Sequence, residues 1–431
     1  MYAKYAVWYS IAMRNFLKGR LLLVRICLLT TVLILVLIGI LTIYFVGNPL
    51  ETSPANSMTD LAGVWRKGVV GLWKKQVLFA LAGVGGFVGA NLVNYRRLGA
   101  VSYGLYVGIL ALLVLLVISR YVVPLPFIPE SHGAHCWIRV GRFFAIQPSE
   151  FCKLIYILAL AWYLRYRSNY RSFRSLVGPF VLTLVPIVLI LVEPDLGTVM
   201  LMMPILFIML FMAGARVKHL VLIVLLAVLV SPLLWLKMHP YQRSRVSAVF
   251  LQSSWIRQKA EQVPAFGEIL VGGKFNPRRW RSESGYHITR SKYAIASGGW
   301  AGQGFGRGPF IKYNFLPFRQ NDFIFSVIAE QVGFLGSVAF LGLYVILAIC
   351  GLEIAADNID PFARLVAVGI VAMLVVEVLV NVGMTLGLMP ITGLTLPFVS
   401  YGGSSLLVNM MAVGLLNNVG RCRPFTVAPK K

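Results

Sequence analysis

GYHITRSKYAIASGGWAGQGFGRGPFIKYNFLPFRQNDFIFSVIAEQ, residues 285–331, ends a long polar segment and begins an apolar run. One carboxylate, Asp322, stands at the junction, behind a basic stretch rich in glycine. The class of the chain follows from what the stretch borders. Apolar runs of about 18 to 25 residues, each long enough to cross a bilayer as a helix, recur along the 431 residues, which are 58% hydrophobic and 13% charged. Backbone in hydrocarbon must satisfy its own hydrogen bonds, so such runs are helical. The expected fold is therefore an all-α polytopic membrane protein, a single integral membrane domain over 1–431 with no sizeable soluble domain. An acid at a membrane boundary is costly to keep ionised and by default marks function.

Helices are expected near 26–47, 76–94, 103–122, 150–164, 177–192, 198–214, 219–238, 321–350, 364–386 and 402–419, ten in all. Basic residues sort these runs by side. Lys4, Arg14, Lys18, Arg20 and Arg25 precede the first, and Arg96 and Arg97 follow the second. Arg165, Arg167, Arg171 and Arg174 follow the fourth, Arg216 and Lys218 the sixth, and Arg421, Arg423, Lys430 and Lys431 the last. Positive charge collects in cytoplasmic loops, so both termini are expected inside. The first run lacks a small-residue cleavage site and is expected to be retained as a helix. Glu193-Pro194-Asp195 is then a tight outside turn; one long kinked helix there would break the alternation. Residues 239–320 become a long extracytoplasmic loop between helices 7 and 8.

That loop holds 13 Lys and Arg against three acids, Glu261, Glu268 and Glu283. Long loops escape the charge rule, and a nucleic-acid partner would lie on the wrong side of the membrane. Lipid phosphate or pyrophosphate suits the planar guanidinium fork, and general attraction to anionic membrane lipids gives the same composition.

Of fifteen acids, Glu51, Asp60, Glu130, Glu261, Glu268 and Glu283 fall in outside loops and Glu353, Asp357 and Asp360 in an inside one. Glu150, Glu193, Asp195 and Asp322 gather at the outer helix ends in this topology, as one site would. Each also has a plainer reading. Glu150 and Lys153 are spaced to pair on a helix, with Ser149 as N-cap. Asp195 is placed to cap the next helix, and Asp322 is placed as an N-cap. Glu330, two turns beyond Asp322, and Glu377 are expected to pair or hydrogen-bond inside the bundle. Gly298, Gly299, Gly302, Gly304, Gly306 and Gly308 allow positive φ and close backbone approach. Their amides could nest a phosphate or the segment could be a hinge. Tyr401-Gly402-Gly403-Ser404-Ser405 reads equally as an anion-friendly helix start or as close helix packing. The five cysteines, 27, 136, 152, 350 and 422, show no paired or metal spacing with the five histidines and read as small apolar side chains.

Taken in order, these motifs resemble the SEDS family (shape, elongation, division and sporulation), the RodA/FtsW/SpoVE group. The resemblance rests on Gly133-Ala134 with Trp137-Ile138, QPSEFCK (147–153), EPDLGT (193–198), Tyr241-Gln242 with Arg245, SGGWAGQGFG (297–306), LPFRQNDFIFSVIAE (316–330) and NVGMTLGLMPITGLTLPFVSYGGSS (381–405). It implies ten helices with a long outer loop between the seventh and eighth, in the bacterial cytoplasmic (inner) membrane. It implies a peptidoglycan glycosyltransferase polymerising lipid II, a disaccharide-pentapeptide on undecaprenyl pyrophosphate, beside a class B penicillin-binding transpeptidase. Asp322 matches the family's essential aspartate and would be the general base. Arg243, Arg245, Arg290, Lys292 and the glycine stretch would meet charge developing on the leaving pyrophosphate, Arg245 being the best match. Trp137, Glu150, Lys153, Glu193, Asp195, Ser291, Ser297, Gly298, Gly299, Ser400, Gly402 and Ser404 complete the expected substrate set.

The chain departs from the family pattern at Phe318, Asn321, His135-Cys136, Arg290-Ser291 and Glu377. Loss of the acid expected near 318 weakens the case for a two-carboxylate metal site, so no cofactor is assigned and a divalent cation is left open. Two other readings remain, a lipid II flippase and a non-catalytic scaffold for a transpeptidase. The flippase would need a polar path to the inner face; the scaffold need not keep Asp322.

Overall fold

The computed structural model describes residues 2–48, 71–122, 125–129, 136–140, 144–166, 173–282, 284–313, 315–316 and 319–421. Glu51, Asp60, Glu130, Gly133, Ala134, His135, Glu283, Phe318, Cys422, Arg167, Arg171, Arg423, Lys430 and Lys431 lie outside those residues, as do the side chains before Leu21.

Each expected apolar run is a helix: α1 (Tyr2–Gly47), α2 (Leu72–Leu92), α3 (Tyr95–Tyr121), α4 (Pro148–Leu164), α5 (Val177–Val192), α6 (Leu196–Met212) and α7 (Val217–Lys237). After the polar segment come α14 (Ile324–Ala356), α15 (Pro361–Thr385) and α16 (Gly403–Arg421). Among the described residues seven helices are long and apolar enough to cross a membrane, and α6 is a shorter apolar one. The chain is a multi-pass helical membrane protein. The Glu193–Asp195 link is a true break, since α5 ends at Val192 and α6 begins at Leu196.

Three expectations change. The first helix begins at Tyr2, because no proline interrupts the basic stretch before the apolar run. Residues 239–320, expected as a loop, are largely helical: α8 (Pro240–Phe250), α9 (Ser254–Gln262), α10 (Pro264–Val271), α11 (Pro277–Ser282), α12 (Ser284–Ser297) and α13 (Pro309–Lys312). Pro240, Pro264, Pro277 and Pro309 sit at the first positions of α8, α10, α11 and α13, where a proline's fixed φ helps and no amide is lost. Finally, α14 starts at Ile324 and not at 321. A two-stranded antiparallel ribbon, β1 (Ile138–Val140) with β2 (Phe144–Ile146), leads into α4.

α15 is the hub, buried along almost its whole length and packed by α4, α6, α14 and α16. α2 lies along α16, and α3 along α4. By contrast α7 buries only Leu220 and presents apolar side chains all round, as a helix in lipid can.

α14 is broken at Gly333 (φ 68°, ψ −166°). The glycine stretch 298–304 repairs the break. Gln303 N and Gly304 N donate to Glu330 O and Gln331 O (2.9 and 3.0 Å), and Phe334 N and Leu335 N donate to Gly299 O and Trp300 O (2.8 and 3.2 Å). Backbone donors freed inside the bundle are thereby satisfied by neighbouring backbone, as hydrocarbon demands. A Cβ on Gly333 would lie 2.3 Å from Gly302 N. Gly333→Ala is expected to lower stability by at least the ~1–3 kcal/mol typical of a glycine-only conformation, read as a lower melting temperature in detergent.

Candidate functional site

Asp322 sits half-buried at the start of α14, on a connection held from two sides. Asn381 Nδ2, from α15, donates to the backbone O of Asp322 at 3.0 Å and to Leu394 O at 2.6 Å. Ser400 Oγ donates to Asn321 O at 2.7 Å and accepts from Leu396 N at 2.8 Å. Gln76 Nε2 holds the Ser400 carbonyl at 3.1 Å. Ser400 thus positions the carboxylate's own segment. The segment between α15 and α16 includes Gly393 (φ 78°) and the buried Phe398 (φ 66°), backbone conformations that persist only when the surroundings impose them. Asp322 Oδ2 lies 3.8 Å from where a Cβ on Gly393 would be, so the missing side chain leaves space beside the carboxylate.

The carboxyl makes no cap bond to α14, whose N-cap is Phe323, so the plain capping role is not the one it has. Burial pushes it up to about 6, opposed by the positive charge of Arg245 on α8. The same guanidinium, with burial as the larger cause, holds His287 on α12 below its ordinary value. Asp322, Arg245 and His287 therefore share one electrostatic neighbourhood.

The four acids expected as one site divide into separate sets. Glu150 joins a buried triad: Lys153 Nζ lies 2.9 Å from Glu150 Oε2 and 2.5 Å from Glu377 Oε1. Asp195 is saturated by Gln147 Nε2 (3.1 Å), Ser149 Oγ (2.8 Å), and Thr198 N and Oγ1 (3.1 and 2.8 Å), which makes it the cap of α6. Ser149 is consequently not a cap; Gln147 holds that place in α4, with Pro148 following. Glu193 is buried with neither carboxyl oxygen hydrogen-bonded, and burial, reinforced by Asp195, pushes it up to about 9. Among the described residues no three His, Cys, Asp or Glu converge as a metal cluster would.

Other expected residues have structural duties. Arg243 Nε and NH2 donate to Met238 O (3.1 Å) and Leu236 O, closing the end of α7. Arg290 stacks over Tyr286 and Phe315, 5.1 Å from each ring centre. Buried Ser291 meets Ser326 Oγ at 2.6 Å and donates to Thr385 O at 2.7 Å. Exposed Lys292 donates to Gln252 Oε1 at 3.3 Å. Ser297 Oγ bonds back to Ala294 O at 2.8 Å. Gly298 N and Gly299 N are used by Ile295 O and Ala296 O, so the expected phosphate nest has its amides already engaged, here and at the α14 break. Ser404 Oγ accepts from Gln147 N and donates to Ala145 O, both 3.1 Å, tying α16 to β2; Gly402 packs near Thr395 and Ser405. Trp137 is half-buried beside β1. Glu330, expected to pair or hydrogen-bond, accepts the amide of Phe310 at 2.8 Å.

Asn381, His287, Gly393 and Asn409 were not singled out by the sequence reading. A signal for one existed: Glu377, Asn381 and Thr385, four apart on otherwise apolar α15, form a buried polar stripe.

A helical bundle enclosing a buried charge triad, with one activated carboxylate at the head of a broken helix, defines a membrane protein built around a polar site. The family described as Cell cycle protein, the FtsW, RodA and SpoVE proteins, matches residues 25–423. The chain belongs to this SEDS family. It is 34% identical over 440 residues to the peptidoglycan glycosyltransferase RodA of Treponema pallidum, covering 91% of this chain and 96% of that one. It is 37% identical over 314 residues to stage V sporulation protein E of Bacillus subtilis, covering 71% and 78%. Among solved structures, a chain of a peptidoglycan synthase complex that coordinates polymerization and crosslinking superposes with a TM-score of 0.67 at 28% identity, covering 91% and 96%. RodA of Thermus thermophilus does so at 0.59 and 27%, covering 91% and 95%.

Removing one partner of a buried ion set leaves uncompensated charge, which costs about 3–5 kcal/mol. Lys153→Met is expected to destabilise the protein by that order, and adding Glu150→Gln and Glu377→Gln to recover most of it, read by thermal unfolding of the three variants.

Proposed function

We propose that this chain is a peptidoglycan glycosyltransferase that polymerises lipid II, with Asp322 as general base. The half-buried, up-shifted Asp322 carboxyl, held by Asn381 and Ser400 through its backbone, is the observation that carries this reading. A base is most effective when its pKa approaches the working pH. As the acceptor sugar's hydroxyl oxygen bonds to the anomeric carbon of the donor, its proton passes to Asp322. The bond from that carbon to pyrophosphate breaks, and the electron pair leaves with the phosphate. Arg245 meets the charge growing there, and Lys292 lies on the same segment. No cation takes part in this reading.

The topology goes with it. Ten spans place both termini in the cytoplasm and α8–α13, with Asp322, at the outer face of the cytoplasmic membrane, where the polymer is needed. The names of the relatives and the polymerizing, crosslinking complex with a related chain support both the activity and a class B penicillin-binding transpeptidase as partner. The buried Glu150–Lys153–Glu377 triad belongs to the scaffold of the site.

Asp322→Ala is expected to cut polymerisation of purified lipid II by about a hundredfold to ten-thousandfold, with the protein folded and still binding lipid II. Equal polymer from both proteins would remove Asp322 from this role. Because the base must be ionised and its pKa is raised from 3.8 to about 6, wild-type kcat/KM should fall as pH drops through about 6, well before an ordinary aspartate titrates. The linked stability effect has a definite sign. A raised carboxyl pKa means the folded state binds the proton more tightly, so stability falls as pH rises through the window from about 4 to 6. Asp322→Asn is thus expected to raise the melting temperature at pH 8 and to lose that gain near pH 4.

A further inference from the structure

Outside the Asp322 neighbourhood, the segment between α7 and α14 forms an open surface cavity beside two cationic side chains. It has a volume of about 470 Å³ and is lined by Arg278, Arg281, Ser282 and Tyr286. Arg278 and Arg281 are i and i+3 on α11, and so project on one side. Both are exposed, and neither has a carboxylate partner among the described residues. Glu283, next in the chain, lies outside those residues.

The rest of the wall is built. The Tyr286 hydroxyl donates to Phe315 O at 3.3 Å, and its ring carries the Arg290 guanidinium. Trp280, between the two arginines in sequence, is covered by the Arg257 guanidinium at 4.7 Å. On α12, Tyr286 and Arg290 occupy one face. His287 and Ser291, which face Phe323 and Ser326 around the start of α14, occupy another, about 100° round the helix. The cavity therefore opens away from the reacting carboxylate.

We propose that this cavity binds the phosphodiester headgroup of an anionic membrane phospholipid. Two guanidinium forks match phosphate oxygens bidentately, and a phenol supplies a further polar group. α11 and α12 lie in the segment joining two apolar helices, α7 and α14. The same segment exposes Trp255 (64%) and Trp300 (72%), aromatic side chains of the kind that settle among headgroups. A headgroup seated here would anchor α8–α13 to the membrane surface, and with it Arg245 and His287. The proposal does not depend on the glycosyltransferase reading.

The test uses the full chain purified in detergent, with native mass spectrometry counting bound phosphatidylglycerol, phosphatidylcholine and undecaprenyl pyrophosphate. Wild type is expected to retain phosphatidylglycerol in preference to phosphatidylcholine. Each arginine near an anionic surface contributes about 1 kcal/mol, and ~1.4 kcal/mol is tenfold. Arg278→Gln with Arg281→Gln should therefore weaken phosphatidylglycerol binding about thirtyfold while leaving undecaprenyl pyrophosphate binding unchanged. If that pair does not fold, Arg278→Lys with Arg281→Lys, which keeps the charge and loses the forks, should bind phosphatidylglycerol several-fold more weakly. Unchanged phosphatidylglycerol binding in the folded variant overturns the proposal. So does a loss confined to undecaprenyl pyrophosphate, which would give the cavity to the polyprenyl chain.

Discussion

One side-chain amide, Asn381 Nδ2, reaches the backbone carbonyls of Asp322 and Leu394 together. Through it the buried hub helix α15 fixes both the head of α14 and the segment that walls the carboxylate. A buried carbonyl without a donor is costly, and two carbonyls sharing one donor cannot drift apart without one losing it. The geometry at Asp322 is therefore inherited from the most buried helix in the molecule. Glu377, one turn earlier on the same face, carries that rigidity inward through Lys153 to α4. Thr385, one turn later, accepts Ser291 from α12 at its carbonyl. Three residues of one stripe thus hold the three parts that meet around the site.

Much of this was legible in the sequence. Apolar run length located the long helices, because hydrocarbon permits a membrane-crossing segment almost no alternative. Asp322 stood out for the same reason, as an acid at a hydrophobic boundary. The Glu150–Lys153 pair followed from helical spacing. What the sequence hid were meetings between distant segments. Nothing in residues 298–304 announces that their amides and carbonyls are consumed by a broken helix at Gly333. Nor does the abundance of proline in 239–320 reveal that four of those prolines begin helices. The acids looked like one cluster because a one-dimensional topology gives depth in the membrane and no position around the bundle. In three dimensions Glu150 turns inward to Lys153, Asp195 caps α6, and Asp322 faces Gly393.

The division of charge is in keeping with the proposal that Asp322 is the reacting acid. Asp195 accepts four hydrogen bonds, and the triad carboxylates share a buried ammonium. Both arrangements tie their lone pairs into the structure. Glu193 lies at the opposite extreme, buried with no hydrogen-bond partner among the described residues, so its protonated form is favoured near neutrality and it is a poor base there. Asp322 falls between these limits. It is desolvated enough for its pKa to rise to about 6, restrained by Arg245 from rising further, and left open on the Gly393 side. Its backbone carries the constraints that other carboxylates here carry on their oxygens. A carboxylate positioned through its main chain keeps its side-chain lone pairs for a substrate, and that separation of support from chemistry singles it out.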